Sequence, residues 1–175
     1  MRIIGISGWS GAGKTTLIGK IIPALLARGR TVSTLKHAHH RFDIDHPGKD
    51  SYAHRMAGST EVIVASSSRF ALIHELRETP EWTLEQLLGK LSPVDLVLIE
   101  GFKRDRHPKI EVFRAANGKP PLHIDDDMIR AIATDAPFPG CALPQVSLDD
   151  VEAVAALADQ LAAPITQVFP GIASR

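Results

Sequence analysis

The sequence lacks several features that would assign it to a specialised class of protein. Its 175 residues contain one cysteine, Cys141, so an internal disulfide is excluded and a reducing, cytoplasmic setting is expected. Lys and Arg number 20, as do Asp and Glu, and the net charge is zero. We therefore expect no bulk attraction to nucleic acid or to a membrane surface. No apolar run approaches the length of a membrane span, and the first residues have a strand pattern rather than a signal-peptide pattern.

What the sequence does contain is a phosphate-binding loop near its start, GWSGAGKT over residues 8–15. The loop fits the pattern G-x-x-x-x-G-K-[ST] at every required position. An apolar strand pattern precedes it and a helical pattern follows it, which is the context in which such loops hold phosphates. The chain is therefore predicted to bind a nucleoside triphosphate.

The residue types of this loop indicate what each position does. Its glycines let the backbone turn tightly and direct N–H groups inward, and the following helix favours an anion at its N-terminus. Lys14 is expected to reach the β- and γ-phosphates and to act in catalysis, and the Thr15 hydroxyl is expected to ligate Mg²⁺. The residues predicted to bind the nucleotide here are Ser10, Gly11, Ala12, Gly13, Lys14, Thr15 and, more weakly, Thr16.

Periodicity along the rest of the chain predicts an α/β protein. A helix over 14–28, containing Pro23 and capped by Gly29, joins two strands into a βαβ unit. Two β-rich runs separated by a short serine turn cannot be parallel neighbours, so they form a hairpin. The predicted strands cover residues 1–7, 31–36, 60–65, 69–74, 95–101, 109–114 and 129–133, and further helices cover 52–57, 83–91 and 148–161.

These elements predict an α/β fold like that of phosphate-loop NTPases. We expect a three-layer sandwich with a mostly parallel sheet and one antiparallel hairpin. Residues 1–163 are predicted to form a single nucleotide-binding domain. Residues 164–175 form a C-terminal tail with little pattern, which is expected to be mobile.

Two carboxylates at predicted strand ends complete the candidate nucleotide site. Glu100 ends an apolar strand where phosphate-loop enzymes place a second metal-side acidic group, usually an aspartate. It would hold Mg²⁺ through water or position the attacking water. Asp135 follows the strand over 129–133 and would accept hydrogen bonds from guanine N1–H and the exocyclic amine, which adenine does not offer. The other interpretation of Asp135 is a turn residue before Pro137.

The polar segment over residues 36–51 has three open interpretations. It holds His37, His39, His40 and His46 together with two aspartates and basic residues. These side chains could ligate a transition metal, line a pocket for a phosphate or a partner, or form a solvated loop. The location at the end of a parallel strand favours a phosphate or partner loop.

The sequence resembles the family of molybdopterin-guanine dinucleotide biosynthesis adapter proteins, MobB. The resemblance is carried by the loop over 8–16, Lys36-His37 with His39-His40, PGKDS over 47–51, LIEGFK over 98–103 and ATD over 133–135. It implies a GTP-binding protein with weak GTPase activity that works as a homodimer. It also implies a partner, the guanylyltransferase MobA, which attaches GMP to molybdopterin.

Two other functions share the same loop. A small-molecule kinase needs a mobile lid with arginines, and the only compact candidate is RDRH over 104–107. A metal-insertion GTPase would use the histidines of residues 36–51. Because no glutamine or arginine finger can be named, any GTP hydrolysis is expected to be slow.

Overall fold

The fold is an α/β sandwich built around one large sheet. A computed structural model describes residues 1–38 and 42–172. Within them the strands, in chain order, are β1 (Arg2–Ser7), β2 (Val32–Lys36), β3 (Glu61–Ala65), β4 (Phe70–His74), β5 (Leu96–Glu100), β6 (Lys109–Phe113), β7 (Ile129–Thr134), β8 (Gln145–Ser147) and β9 (Ala163–Pro164). The α-helices are α1 (Lys14–Ala27), α2 (Asp50–Met56), α3 (Leu84–Leu88), α4 (Val151–Leu161) and α5 (Ile165–Val168).

The large sheet has the order β2-β5-β1-β6-β7-β8, and β9 also pairs with β1. Every neighbouring pair in this order is parallel, and only β9 runs antiparallel to its partner. The carboxyl ends of β5, β1 and β6 therefore lie side by side at one edge, where α/β proteins bind their ligands. The phosphate loop follows β1 directly, so it lies in the middle of this edge.

The two faces of the sheet carry separate apolar cores, because successive strand residues point to opposite faces. Ile4 and Ile6 of β1 pack in one cluster with α1 and α4, whereas Ile3 packs in a second cluster with α3 and Ile165. The run Leu96–Ile99 of β5 is fully buried on both faces. The predicted three-layer, mostly parallel architecture is thus confirmed.

The strand β6 departs from its sequence pattern. Although polar and apolar residues alternate in it, Lys109 and Glu111 are each 1% exposed. Lys109 forms an ion pair with Asp126 at 2.9 Å, and Glu111 is paired with His123 at 2.7 Å. Both faces of β6 are buried because it is an inner strand, and its polar side chains have partners further along the chain.

Residues Ala38–Thr83 form a compact unit separate from the rest of the chain, Met1–His37 and Leu84–Arg175. This smaller unit contains α2 and the antiparallel pair β3–β4, which confirms the predicted hairpin. The helix α2 starts at Asp50 after Lys49, rather than after Ser51 as expected. The prediction of one domain over residues 1–163 remains a prediction.

The C-terminal segment is more structured than its sequence indicates. The strand β9 pairs with β1 across Ile3 and Ala163, and α5 follows it immediately. Val168, Phe169 and Ile172 pack against the second apolar cluster. The prediction of a patternless tail over 164–175 is therefore corrected up to Ile172, because a few apolar residues suffice for packing where periodicity is too short to detect.

One further strand was not expected. The three-residue β8 pairs with β7 as an edge strand, although residues 129–133 had been predicted to form the last strand. The last helix, α4, is capped by Asp150, whose side chain accepts a hydrogen bond from Ala153 N–H at 3.0 Å. None of the helices in residues 1–38 and 42–172 has the length and apolarity of a membrane span.

Candidate functional site

The phosphate loop takes the backbone path that its glycines predict. Gly8 and Gly13 have φ angles of 151° and 93°, and a Cβ at Gly8 would lie 2.5 Å from the carbonyl oxygen of Val112. Side chains are therefore excluded at Gly8 both by conformation and by space. The loop closes with a hydrogen bond from Ala12 N–H to the Trp9 carbonyl at 3.2 Å, and α1 then begins at Lys14.

The Lys14 side chain folds back over this loop. Its ammonium donates to the Trp9 carbonyl oxygen at 2.9 Å. Burial lowers the pKa of Lys14, the nearby Glu100 opposes that shift, and Lys103 and Lys36 add to it. An anion would stabilise the charged form of this partly desolvated ammonium, which lies near two other cations. A triphosphate would supply such an anion.

Glu100, Thr15 and Lys36 form one contact cluster beside the loop. The Thr15 hydroxyl donates to the Glu100 carboxylate, with Oγ1 at 2.9 Å from Oε1 and 3.1 Å from Oε2. The Lys36 ammonium lies 3.4 Å from Glu100 Oε2 and 3.2 Å from Thr15 Oγ1. The structure therefore brings together the two residues that the sequence predicts on the metal side, Thr15 and Glu100.

The strand pairing explains how Lys36 and Glu100 meet. Lys36 is the register partner of Glu100 in the parallel pair β2–β5, and both are the last residues of their strands. The chain then turns at Gly101, whose φ is 100° and where a Cβ would lie 2.7 Å from Cβ of His37. His37 N–H in turn donates to the Glu100 carbonyl at 2.8 Å, so this strand end is fixed from both sides.

This cluster has the donor set that a magnesium ion requires. A hydroxyl and a carboxylate are hard oxygen ligands, which suit Mg²⁺ when completed by water and phosphate oxygens. The Lys36 ammonium, on a side chain 56% exposed, already lies between both oxygens. A cation is therefore stabilised at this position, and a long exposed lysine can move away without disturbing the fold. The residues fit the ion.

Asp135 lies apart from this cluster, on the other side of β1. It follows β7, and its Oδ1 accepts a hydrogen bond from Ala115 N–H at 2.9 Å, while Oδ2 lies 3.8 Å from Arg114. Asn117, on the same short 3-10 turn (Ala115–Asn117), donates to the Ser10 carbonyl at 3.0 Å. The loop after β6 thus connects Asp135 with the phosphate loop. The Asp135 carboxylate already accepts a hydrogen bond from the Ala115 backbone, and its role in base recognition stays a prediction.

Two residues beside the loop were not identified from the sequence. Arg114 lies near Gly13, and Asn117 lies near Gly11, at 3.4 Å and 3.1 Å from the Cβ positions of those glycines. Both come from a distant part of the chain, so no local pattern could have found them. Lys103, the last residue of the LIEGFK segment, places its ammonium 4.9 Å from the centre of the Trp9 ring, a cation–π contact.

The histidine-rich segment is only partly described. His39, His40 and Arg41 lie outside the described residues. His37 packs against Phe102, with ring centres 4.8 Å apart. Among residues 1–38 and 42–172 no group of three or more His, Cys, Asp or Glu side chains could hold a metal ion. The metal interpretation of residues 36–51 stays a prediction for His39 and His40.

The aspartates of that segment and the candidate kinase lid have structural partners. Asp43 and Asp45 both accept from Arg55, at 2.7 Å and 2.6 Å. In the RDRH segment, Arg106 donates to Asp127 at 2.9 Å and His107 is fully buried. The kinase alternative, which needs arginines on a mobile lid, stays a prediction.

This chain is a phosphate-loop α/β protein. Its phosphate loop lies between a central parallel strand and a helix, with a hydroxyl and a carboxylate beside it. Residues 3–135 match the family model described as MobB, molybdopterin guanine dinucleotide synthesis protein B. The chain belongs to the MobB family.

Curated relatives carry the same family description. The chain is 44% identical over 157 residues to the molybdopterin-guanine dinucleotide biosynthesis adapter protein of Escherichia coli (strain K12), covering 87% of this chain and 89% of the relative. It is also 44% identical over 139 residues to the corresponding adapter protein of Haemophilus influenzae, covering 78% and 76% of the two chains. The family places the chain in molybdenum cofactor biosynthesis.

Solved structures agree with the fold. The crystal structure of Bacillus subtilis MobB superimposes with a TM-score of 0.73 at 26% identity, over 92% of this chain and 98% of that one. The MobB homologue from Bacillus stearothermophilus gives a TM-score of 0.67 at 28% identity, over 91% and 97%. The predicted family and fold class are both confirmed.

Proposed function

We propose that this chain is a GTP- and Mg²⁺-binding adapter with weak GTPase activity in the formation of molybdopterin-guanine dinucleotide. The observation that carries the proposal is the contact between Thr15 and Glu100 beside the phosphate loop. Lys14 would move from the Trp9 carbonyl to the β- and γ-phosphates, and Thr15 with Glu100 would hold the metal. Hydrolysis would be slow, because the described residues at the site include no glutamine placed to orient water.

The preference for GTP is proposed to come from Asp135. Its carboxylate would exchange the hydrogen bond of Ala115 N–H for the guanine N1–H and amine. Such exchange is favourable because two donors on a planar ring match both carboxylate oxygens. Calorimetry with GTP and ATP, each with Mg²⁺, tests the nucleotide assignment. We expect GTP to bind more tightly, and equal or absent binding of both nucleotides would contradict it.

The proposed partner is the guanylyltransferase that forms the dinucleotide, a MobA-like protein. The adapter description of the curated relatives supports a partner within this pathway. The surfaces proposed to contact the partner or the pterin substrate are residues 36–51 and Phe102-Lys103-Arg104. Size-exclusion chromatography of the two purified proteins, with and without Mg²⁺ and GTP, tests the association. Separate elution under all conditions would contradict the adapter role.

The chain is further proposed to act as a homodimer through its hairpin. The register pairs Ile63 with Leu72 and Ala65 with Phe70, so these side chains share one face of the ribbon. Three of them are large and 46–74% exposed, and both outer edges of the ribbon are unpaired among the described strands. A second copy would cover the same face by symmetry. Analytical ultracentrifugation of Phe70→Asp against a Ser67→Ala control tests this, with a monomer expected only for the first variant.

Two further proposals concern the location of the protein in the cell and the role of its histidine-rich segment. A cytoplasmic location follows from the single Cys141 and is checked by cell fractionation. A metal-insertion role stays the alternative for the histidines of residues 36–51. Metal analysis of the untagged protein decides between the two interpretations, because stoichiometric nickel or zinc would favour metal insertion over the adapter role.

A further inference from the structure

The connection between β5 and β6 leaves part of the sheet without a covering helix. Both strands pair in parallel with β1, one on each side, so the connection over residues 101–108 must cross over β1. No helix forms in it, although crossovers between parallel strands usually contain one. The carboxyl half of β1 is therefore covered on this face by a loop.

The crossing is tight at Gly5 and opens at Ser7. A Cβ at Gly5 would lie 2.6 Å from Nε2 of His107 and 2.9 Å from Cγ of Lys109, so only glycine allows the loop to approach here. Two residues further along the same face, Ser7 lines a cavity of about 380 Å³. The other residues that line it are Lys103–Arg106, Lys109, Leu122 and Asp125–Met128.

Two buried polar side chains in this cavity have unused hydrogen-bonding capacity. Ser7 is 2% exposed and lines the cavity with a hydroxyl that can both donate and accept. Lys109, 1% exposed, uses two donors, to the Lys103 carbonyl and to Asp126 Oδ2, both at 2.9 Å. Its ammonium has three donors in all. Buried polar groups in native proteins normally make hydrogen bonds. A polar ligand is therefore expected to bond to the Ser7 hydroxyl and to the third donor of Lys109.

The charges around the cavity are balanced. Four cationic and four anionic side chains line it. Two pairs neutralise each other, Lys109 with Asp126 and Arg106 with Asp127. The remaining charges are Lys103 and Arg104, which favour an anion, and Asp105 and Asp125, which accept from N–H donors. A ligand that matches all four carries a phosphate and a ring with adjacent N–H groups.

The cavity also adjoins the phosphate loop. Ser7 immediately precedes Gly8, and Lys103 contacts Trp9 of the loop. A ligand in the cavity would therefore lie beside the nucleotide rather than in its place.

We infer that this cavity binds a phosphorylated pterin. The inference rests on the proposed function, in which the second half of the dinucleotide comes from a pterin phosphate. A pterin ring presents an amino group next to a ring N–H, the donor pair that a carboxylate such as Asp125 accepts. The phosphate is held by Lys103 and Arg104, and Ser7 and Lys109 bind polar atoms of the ring.

The test is a titration of the purified chain into a 6-alkylpterin monophosphate, read by the anisotropy of the pterin fluorescence. We expect saturable binding by the unaltered chain. Asp125→Asn should weaken it about tenfold, since one charge-assisted hydrogen bond is lost, and Ser7→Ala should weaken it in the same direction. Asp149→Asn, an exposed aspartate outside the cavity, is the matched control and should bind like the unaltered chain.

Three results would overturn the inference: no binding by the unaltered chain, binding that neither Asp125→Asn nor Ser7→Ala reduces, or displacement by inorganic phosphate at concentrations equal to the pterin phosphate. Lys14→Ala separates the two sites, because it should lose GTP but keep the pterin. A chain that binds GTP and no pterin phosphate contradicts only the cavity assignment. A chain that binds the pterin phosphate and no GTP contradicts only the proposed nucleotide site.

Discussion

Two carboxylates flank β1, Glu100 on the side of β5 and Glu111 on the side of β6, and they differ in the kind of group that holds them. On the β5 side, Glu100 is held by the Thr15 hydroxyl and the Lys36 ammonium, which are side chains at the edge of the sheet. On the β6 side, Glu111 accepts from the backbone N–H groups of Leu122 and His123 at 2.6 Å and 3.1 Å.

This difference separates a site from a structural clamp. Side chains such as Lys36 can rotate away and be replaced by a metal ion, so Glu100 can exchange partners at little cost to the fold. The backbone N–H groups bound to Glu111 cannot move without unfolding the loop over 115–123. Asp135 lies between these extremes, because its partner is one backbone N–H but it remains about one-third exposed.

The largest expected effect is on the β5 side. Lys14→Ala should abolish binding of GTP with Mg²⁺, because the ammonium that would neutralise the β- and γ-phosphates is removed. Calorimetry measures it. Lys20→Ala, on the exposed side of the same helix, serves as the control and should bind normally. Retained affinity in Lys14→Ala would refute the phosphate-loop assignment.

The matching change on the β6 side should affect stability alone. Glu111→Gln places an amide donor against the donors of His123 and should lower the free energy of unfolding by about 3 kcal/mol. Urea denaturation measures it, with the exposed Glu152→Gln as control, for which a change within about 0.5 kcal/mol is expected. A stability loss for Glu100→Gln as large as that for Glu111→Gln would remove the distinction between the two sides.

Because His107 is buried, we expect the protein to lose stability at acidic pH. Burial, and secondarily Lys109, lower its pKa from the ordinary 6.5 to about 4, and neither ring nitrogen has a hydrogen-bond partner among the described residues. Between these two values the unfolded chain binds more protons at this position. Stability therefore falls as the pH falls from 6.5 to 4, by up to roughly 3 kcal/mol.

Urea denaturation across this pH range measures the slope of the free energy of unfolding against pH. His107→Leu should flatten it, because leucine takes up no proton and fills a similar volume. His54→Leu, at an exposed position, should leave it unchanged. An unaltered slope in His107→Leu would assign the acid sensitivity to other groups.

A smaller effect is expected at Asp135. Asp135→Asn should reduce the preference for GTP over ATP by about tenfold, since the amide cannot accept both guanine donors. Competition of each nucleotide for a fluorescent GTP analogue measures the ratio. If the ratio is unchanged while the protein loses stability, Asp135 serves only to hold the Ala115 N–H.

The sequence predicted the parts of this protein that depend on local patterns. The loop over 8–15, the fully apolar run of β5 and the hairpin all have signals within a few residues. The contacts that distinguish the two sides of β1 do not. The pairing of Lys36 with Glu100 depends on the strand order, which no local period encodes.

Long-range compensation also hid the burial of β6. Lys109 and Glu111 suggest an exposed strand face until Asp126 and His123 are seen to pair with them. The short strands β8 and β9 were missed because two or three residues are too few to show alternation. Asp135 was identified as a candidate, but its hydrogen bond to Ala115 N–H became visible only in the folded chain.

The central claim is that Glu100 and Thr15 form the metal side of a GTP site. Calorimetry of GTP binding with and without Mg²⁺, on the unaltered chain and on Glu100→Gln, tests it most directly. The account predicts that Mg²⁺ strengthens binding to the unaltered chain, and that Glu100→Gln loses most of this gain while still binding metal-free GTP. The same Mg²⁺ dependence in both proteins would contradict it.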